Sequence, residues 1–91
     1  MDETRIIRVR YWAAAKAAAG TGEDSLSVEG PVSLEEVRRR AVSLHPGTRL
    51  ADVLTACSVL VGDQPVGTRS PADVLVSPGD SVEFLPPFAG G

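Results

Sequence analysis

The sequence is poor in the residues that usually carry chemistry. Its 91 residues include one cysteine, one histidine, one tryptophan, one tyrosine and two phenylalanines. A lone Cys57 excludes an internal disulfide framework and a multi-cysteine metal site. At the head of an apolar run it reads as a buried structural thiol. The single His45 precedes Pro46 at an expected helix end, with no Cys, His or carboxylate at metal-ligand spacing. A surface role at the helix terminus is expected of it, and neither a Ser-His-Asp nor a Cys-His arrangement can be assembled. Lysine is scarce too, with eight arginines to one Lys16. Net charge is −3, and the one cationic run, Arg38-Arg39-Arg40, falls in an expected helix whose successive side chains diverge. That argues against a nucleic-acid-binding face. Long apolar runs are missing as well: Lys16 interrupts the alanine stretch, and no charged-then-apolar segment opens the chain. No membrane or secretory segment is therefore expected, and the chain reads as cytoplasmic.

What is present is an ordinary globular composition, 43% apolar with a mean hydropathy of +0.05. A chain of this length forms one domain and buries roughly 60–65% of its unfolded surface, enough for one modest core. Ile6 to Trp12 alternates as a strand, with Ile7, Val9 and Tyr11 on one face and Arg8, Arg10 and Trp12 on the other. Ala13 to Ala19 allows about two helical turns before Gly20. Thr21-Gly22 reads as a turn and Ser25 to Glu29 as a second strand. Ser33-Leu34-Glu35-Glu36 is a capping box, and Leu34, Val37, Ala41 and Leu44 follow at helical spacing until His45-Pro46-Gly47. Residues 48–56 read as an irregular turn with Leu50, Val53 and Leu54 tucked inward. Cys57 to Val61 reads as a strand, and Val74 to Val76 as a short strand or packing segment. Ser77-Pro78-Gly79-Asp80 is a turn, and in Ser81 to Leu85 Val82 and Phe84 point inward, Glu83 and Leu85 outward. The pattern is α+β, with one main helix on one face of a mixed sheet. Element order alone leaves the ubiquitin-like β-grasp as one option among several.

The sequence closes on Pro86-Pro87-Phe88-Ala89-Gly90-Gly91. Glycines without a Cβ can pass a channel too narrow for side chains. The two prolines hold the preceding stretch extended and outside any sheet ladder. A stiff stalk with a bare tip suits a terminal carboxylate grasped by another protein's active site. The expected division is a β-grasp domain over 1–85 and an extended tail over 86–91.

Tyr11-Trp12-Ala13 with Lys16, the run Pro78-Gly79-Asp80-Ser81-Val82-Glu83, and Phe84-Leu85-Pro86-Pro87-Phe88-Ala89-Gly90-Gly91 together resemble the MoaD/ThiS family of ubiquitin-like sulfur carriers. The doubled proline fits the branch of molybdopterin synthase small subunits. The family often has Phe in place of Trp12, an Arg-Glu pair in place of Lys16-Ala17, and valine in place of Phe88. The resemblance implies that an E1-like enzyme adenylates Gly91 with ATP and Mg²⁺, that sulfur displaces AMP to leave a thiocarboxylate, and that the large molybdopterin synthase subunit receives the tail in a heterotetramer. There the sulfur attacks cyclic pyranopterin monophosphate. It also implies that Pro86, Pro87, Phe88, Ala89 and Gly90 thread into the partner, with no cofactor on this chain itself. Carriers for thiamine or cysteine synthesis, and protein modifiers, are the alternatives.

In a β-grasp the first and last strands run parallel and adjacent. Trp12 and Leu85 should then be neighbours at the root of the tail, on the face away from the helix and near Lys16, as a partner-binding patch. Glu83 is expected to pair with Arg8 or Arg10 across the strands.

Overall fold

Alternation of side chains builds the centre of the molecule. In the computed structural model, which describes residues 5–87, β1 (Ile6–Tyr11) buries Ile7, Val9 and Tyr11 and leaves Arg8 and Arg10 exposed. Only one face of such a strand can join a core. On one side β1 pairs antiparallel with β2 (Glu23–Ser27), matching Ile7 to Leu26 and Val9 to Asp24. On the other it pairs parallel with β7 (Ser81–Leu85), matching Val9 to Val82 and Tyr11 to Phe84. β7 then pairs antiparallel with β4 (Ser58–Val61), which ends against the two-residue β5 (Gln64–Pro65). The sheet order is β2-β1-β7-β4-β5. Residues directly opposite share a face, so Ile7, Val9, Tyr11, Leu26, Val82 and Phe84 form one continuous buried layer.

Helices cover that layer. α1 (Ala13–Ala19) follows β1 at once and stops at Gly20, whose φ of 77° lets its N–H reach the Lys16 carbonyl at 2.9 Å. α2 (Leu34–Ser43) begins at Ser33, whose Oγ accepts the Glu36 N–H at 3.0 Å. Only this half of the capping box forms, because the Glu36 carboxylate turns forward to the Arg39 guanidinium. Leu34, Val37 and Ala41 are buried by α2; a large aliphatic side chain among them contributes about 1.5–3 kcal/mol. A second small sheet of β3 (Val32–Ser33) and β6 (Leu75–Val76) pins the start of α2. The turn before β7 is as its residues demand: Gly79 has φ 93°, and the Asp80 carboxylate accepts the Ser77 N–H at 3.0 Å. A parallel central pair flanked antiparallel, with a helix across one face, is the ubiquitin-like β-grasp.

Four expectations need correction. Residues 48–56 are not an irregular turn: α3 (Leu50–Ala56) buries Leu50 and Leu54 and packs against α1. Leu44 is 50% exposed, because α2 ends at Ser43 and carries it past the sheet. The second strand starts at Glu23, two residues before Ser25, and ends at Ser27. Cys57 is half-buried and caps α3 rather than opening β4. The α-helices thus number three among the described residues, with α2 the longest, and a short 3-10 helix spans Pro71–Asp73.

Candidate docking site at the root of the tail

β7 ends at Leu85, and Pro86 and Pro87 continue from it exposed and outside any strand. The end of β1 lies alongside. The Trp12 N–H donates to the Phe84 carbonyl at 3.1 Å, extending the parallel ladder one step beyond Tyr11. Trp12 therefore stands where β7 gives way to the prolines. It remains 41% exposed. Its indole N–H donates to Glu83 Oε1 at 2.9 Å, and the Arg10 guanidinium lies 5.2 Å from the ring centroid. Such a cation–π contact at an exposed site is worth about 0.5–1 kcal/mol. The ring is thus held from two sides in a fixed orientation, with one face left to solvent.

Glu83 accordingly binds the indole. Arg10 and Arg8 instead reach Glu23 on β2, at 3.8 and 3.9 Å, with all three side chains over 40% exposed. Exposed pairs of this kind contribute about 0–1 kcal/mol. Leu85 is half-buried and sits opposite Ser58 of β4. Its strand position and that of Trp12 are adjacent, as the parallel pairing requires. Lys16 comes to the same end of the molecule because α1 turns directly off β1. Ala13 makes the turn with a φ of 51°, a left-handed conformation that costs a residue with a Cβ about 1–2 kcal/mol. One helical turn later the Lys16 N–H meets the Trp12 carbonyl at 3.4 Å. The Lys16 side chain is exposed and has no ion pair among the described residues.

Beneath this surface lies a polar cluster that sequence reasoning missed. The Tyr11 hydroxyl donates to Asp24 Oδ2 at 2.9 Å, and His45 Nε2 lies 2.6 Å from the same oxygen. The Tyr11 ring stacks on Phe84 with centroids 6.2 Å apart and meets His45 edge-on at 6.0 Å. His45 is thus no bare helix terminus: its side chain is only 15% exposed. Burial, then the hydrogen bond to Asp24 and its charge, push the Tyr11 hydroxyl well above the ordinary tyrosine value. The cluster ties the chain after α2 to β2 and to the end of β1, and so fixes the strand end that presents Trp12. Its one legible signal was Asp24, an acid at an inward position of β2.

Of the residues expected at the site, Trp12, Lys16, Leu85, Pro86 and Pro87 gather at one end of the sheet. Phe88, Ala89, Gly90 and Gly91 lie outside the described residues. Among the described residues no three His, Cys, Asp or Glu side chains group as a metal site. No helix there is long and apolar enough to cross a membrane. Beside the exiting chain lie an exposed aromatic and a half-buried aliphatic side chain, Trp12 and Leu85, whereas the Lys16 stem lies toward Gly22 on the β2 side of β1.

Known proteins share this architecture. The small archaeal modifier protein SAMP1 from Haloferax volcanii superposes with a TM-score of 0.73 at 18% identity, over 94% of this chain and 99% of that one. A chain from the complex of subunits 1 and 2 of the molybdopterin-converting factor of Helicobacter pylori gives 0.61 at 21% identity, over 94% and 99%. These likenesses carry the fold. In sequence, the molybdopterin synthase sulfur carrier subunit of Aspergillus niger is 30% identical over 91 residues, the full length of both chains. The ThiS family model matches residues 9–91, from the middle of β1 through the glycine pair. On the strength of that match, the chain belongs to the ThiS family.

Proposed function

We propose that this chain is a sulfur carrier protein that serves molybdopterin synthesis. The observation that carries the reading is the 30% identity, over its whole length, to a protein named as a molybdopterin synthase sulfur carrier subunit. The tail root supports it physically, since a carrier needs a rigid body, a docking patch and a tail that reaches another protein's active site.

In this reading Gly91 is the working residue. A carboxylate is a poor electrophile, so an E1-like partner first joins it to AMP, using ATP and Mg²⁺ and releasing pyrophosphate. The terminal sulfur of a persulfide then displaces AMP to give an acyl disulfide, and a second thiol cleaves its S–S bond, forming a disulfide and leaving the thiocarboxylate. Pro86 and Pro87 hold the stalk extended while Phe88, Ala89 and Gly90 thread into the partner. Trp12, Leu85 and Lys16 dock against the activating enzyme and then against the large synthase subunit. Two carriers serve each product, because a dithiolene holds two sulfurs, and this fits a heterotetramer of two carriers and two large subunits. The catalytic side chains belong to the partners.

Intact-mass measurement of the protein from its native host tests the proposal. The expected species carries one sulfur in place of one oxygen, localised to Gly91 by fragmentation. Ladders of lysine conjugates without any thiocarboxylate would make the chain a modifier instead. An unmodified mass under demand for the molybdenum cofactor would end both readings.

A further inference from the structure

On the inner side of the sheet, under the β4–β5 hairpin, lies a cavity of about 490 Å³. That volume falls in the range, about 300–1,000 Å³, of sites that hold small molecules. Leu34 of α2, Leu54 of α3, Val59 of β4, Val66 and Phe84 of β7 make its walls apolar. Two arginines line it, Arg38 and Arg69, and among the described residues no carboxylate does.

Several other arginines are taken up by acids. Arg39 is spent on Glu36 at 2.6 Å, and Arg8 and Arg10 reach Glu23. Arg38 has no hydrogen bond or ion pair among the described residues. Arg69 is held in place by backbone alone: Nε donates to the Val66 carbonyl at 3.2 Å and Nη2 to the Pro65 carbonyl at 3.4 Å. Its Nη1 and the outer edge of its guanidinium remain available, since the group has five N–H donors. The nearest acid in sequence, Glu36, is taken by Arg39, and Glu35 borders a separate hollow that Arg38 also lines. In a chain of net charge −3, two arginines without acidic partners converge on one apolar cavity. Guanidinium groups bind carboxylate and phosphate oxygens in forked pairs, and apolar walls remove water that would weaken those bonds.

We propose that this cavity binds a small organic anion, an apolar body bearing one carboxylate or phosphate, with Arg38 and Arg69 as the anion clamp. The site is distinct from the docking patch: Phe84 lines it from the buried side of the sheet, whereas Glu83 holds the Trp12 indole on the other side. It stands whether or not the tail carries sulfur. An occupant would nonetheless rest on the strand from which the tail departs.

Cys57 supplies a reporter, because it lines the same cavity and is the chain's only cysteine. The full-length protein is titrated with phenyl phosphate and benzoate as probes, and with benzyl alcohol and inorganic phosphate as controls. Amide shifts and the rate of Cys57 alkylation by iodoacetamide are followed. The expected result is that an aromatic anion shifts residues 54–59 and 66–69 and slows alkylation. Each control should bind about tenfold more weakly, the loss expected for one charge-assisted hydrogen bond or its apolar equivalent. Arg38→Gln and Arg69→Gln should each weaken the anion about tenfold. Arg38→Gln serves as the variant free of any effect on the fold, since Arg38 holds nothing else in place. Binding of phenyl phosphate alone or benzoate alone supports the site and assigns the head group. Benzyl alcohol binding as tightly as the anions, no shifts with either anion, or unchanged anion affinity in both variants would overturn the proposal.

Discussion

At the scale of the residue, Trp12 and Tyr11 are neighbours in sequence with opposite duties. Trp12 is held by Glu83 and Arg10 but remains 41% exposed, whereas Tyr11 is 2% exposed and ends in the Asp24–His45 cluster. Trp12→Ala should therefore lower affinity for a docking partner by about 2 kcal/mol or more. Its effect on stability should stay well below the ~3–5 kcal/mol of Phe84→Ala, which empties the buried layer. Calorimetric binding and thermal unfolding measured on both variants check this, and the fluorescence of Trp12, the only indole, should shift to the blue when a partner docks. Tyr11 leads to a pH effect. Its hydroxyl keeps its proton in the folded chain at pH values where the unfolded chain, titrating near about 10, has lost it. The folded state then binds more protons at Tyr11, so the stability this group contributes is constant below about pH 10 and is lost as pH rises past it. Tyr11→Phe should flatten that fall, and denaturant midpoints from pH 8 to 11 give the measurement.

At the scale of the element, legibility followed period and length. β1 and β7 alternate over five or six residues, and the apolar spacing of α2 spans three turns behind a serine cap, so each could be read without a structure. α3 is seven residues long, its N-cap Arg49 makes no side-chain bond, and its Leu50, Val53 and Leu54 suit a turn as well as a helix. β2 was misplaced because Asp24 breaks its apolar face, and only the partners Tyr11 and His45, far away in sequence, explain an inward carboxylate. The indole's choice of Glu83 over the arginines depends on a ring orientation no pattern encodes. The prolines after β7 form the last element and act through entropy. Replacing Pro86 and Pro87 with glycine frees residues that docking must order again, at roughly 1 kcal/mol each. Isothermal titration with the large synthase subunit should show a higher Kd, with the transfer rate at saturating carrier little changed.

At the scale of the whole molecule, the buried core among the described residues runs from Ile7 to Phe84, ahead of the glycine pair in the chain. Deleting Gly91, or extending the chain beyond it, should abolish sulfur transfer and leave the melting temperature nearly unchanged. Pterin sulfuration assayed beside differential scanning calorimetry checks both halves. The tail was readable because its meaning is carried by residue identity, Pro-Pro and Gly-Gly, whereas the surface around it depended on which strand ends the fold brings side by side. The parallel pairing of β1 with β7 has a further consequence, during synthesis. β7 is made late, yet it stands between β1 and β4. Until it leaves the ribosome, β1 with β2 and β4 with β5 are two strand pairs with no strand to join them, and pairing over so long a stretch of chain is slow to form. A chain cut short before β7 gains neither the sheet nor the tail. Any partner that recognised both Trp12 and the start of the tail would therefore meet only chains whose central sheet is complete.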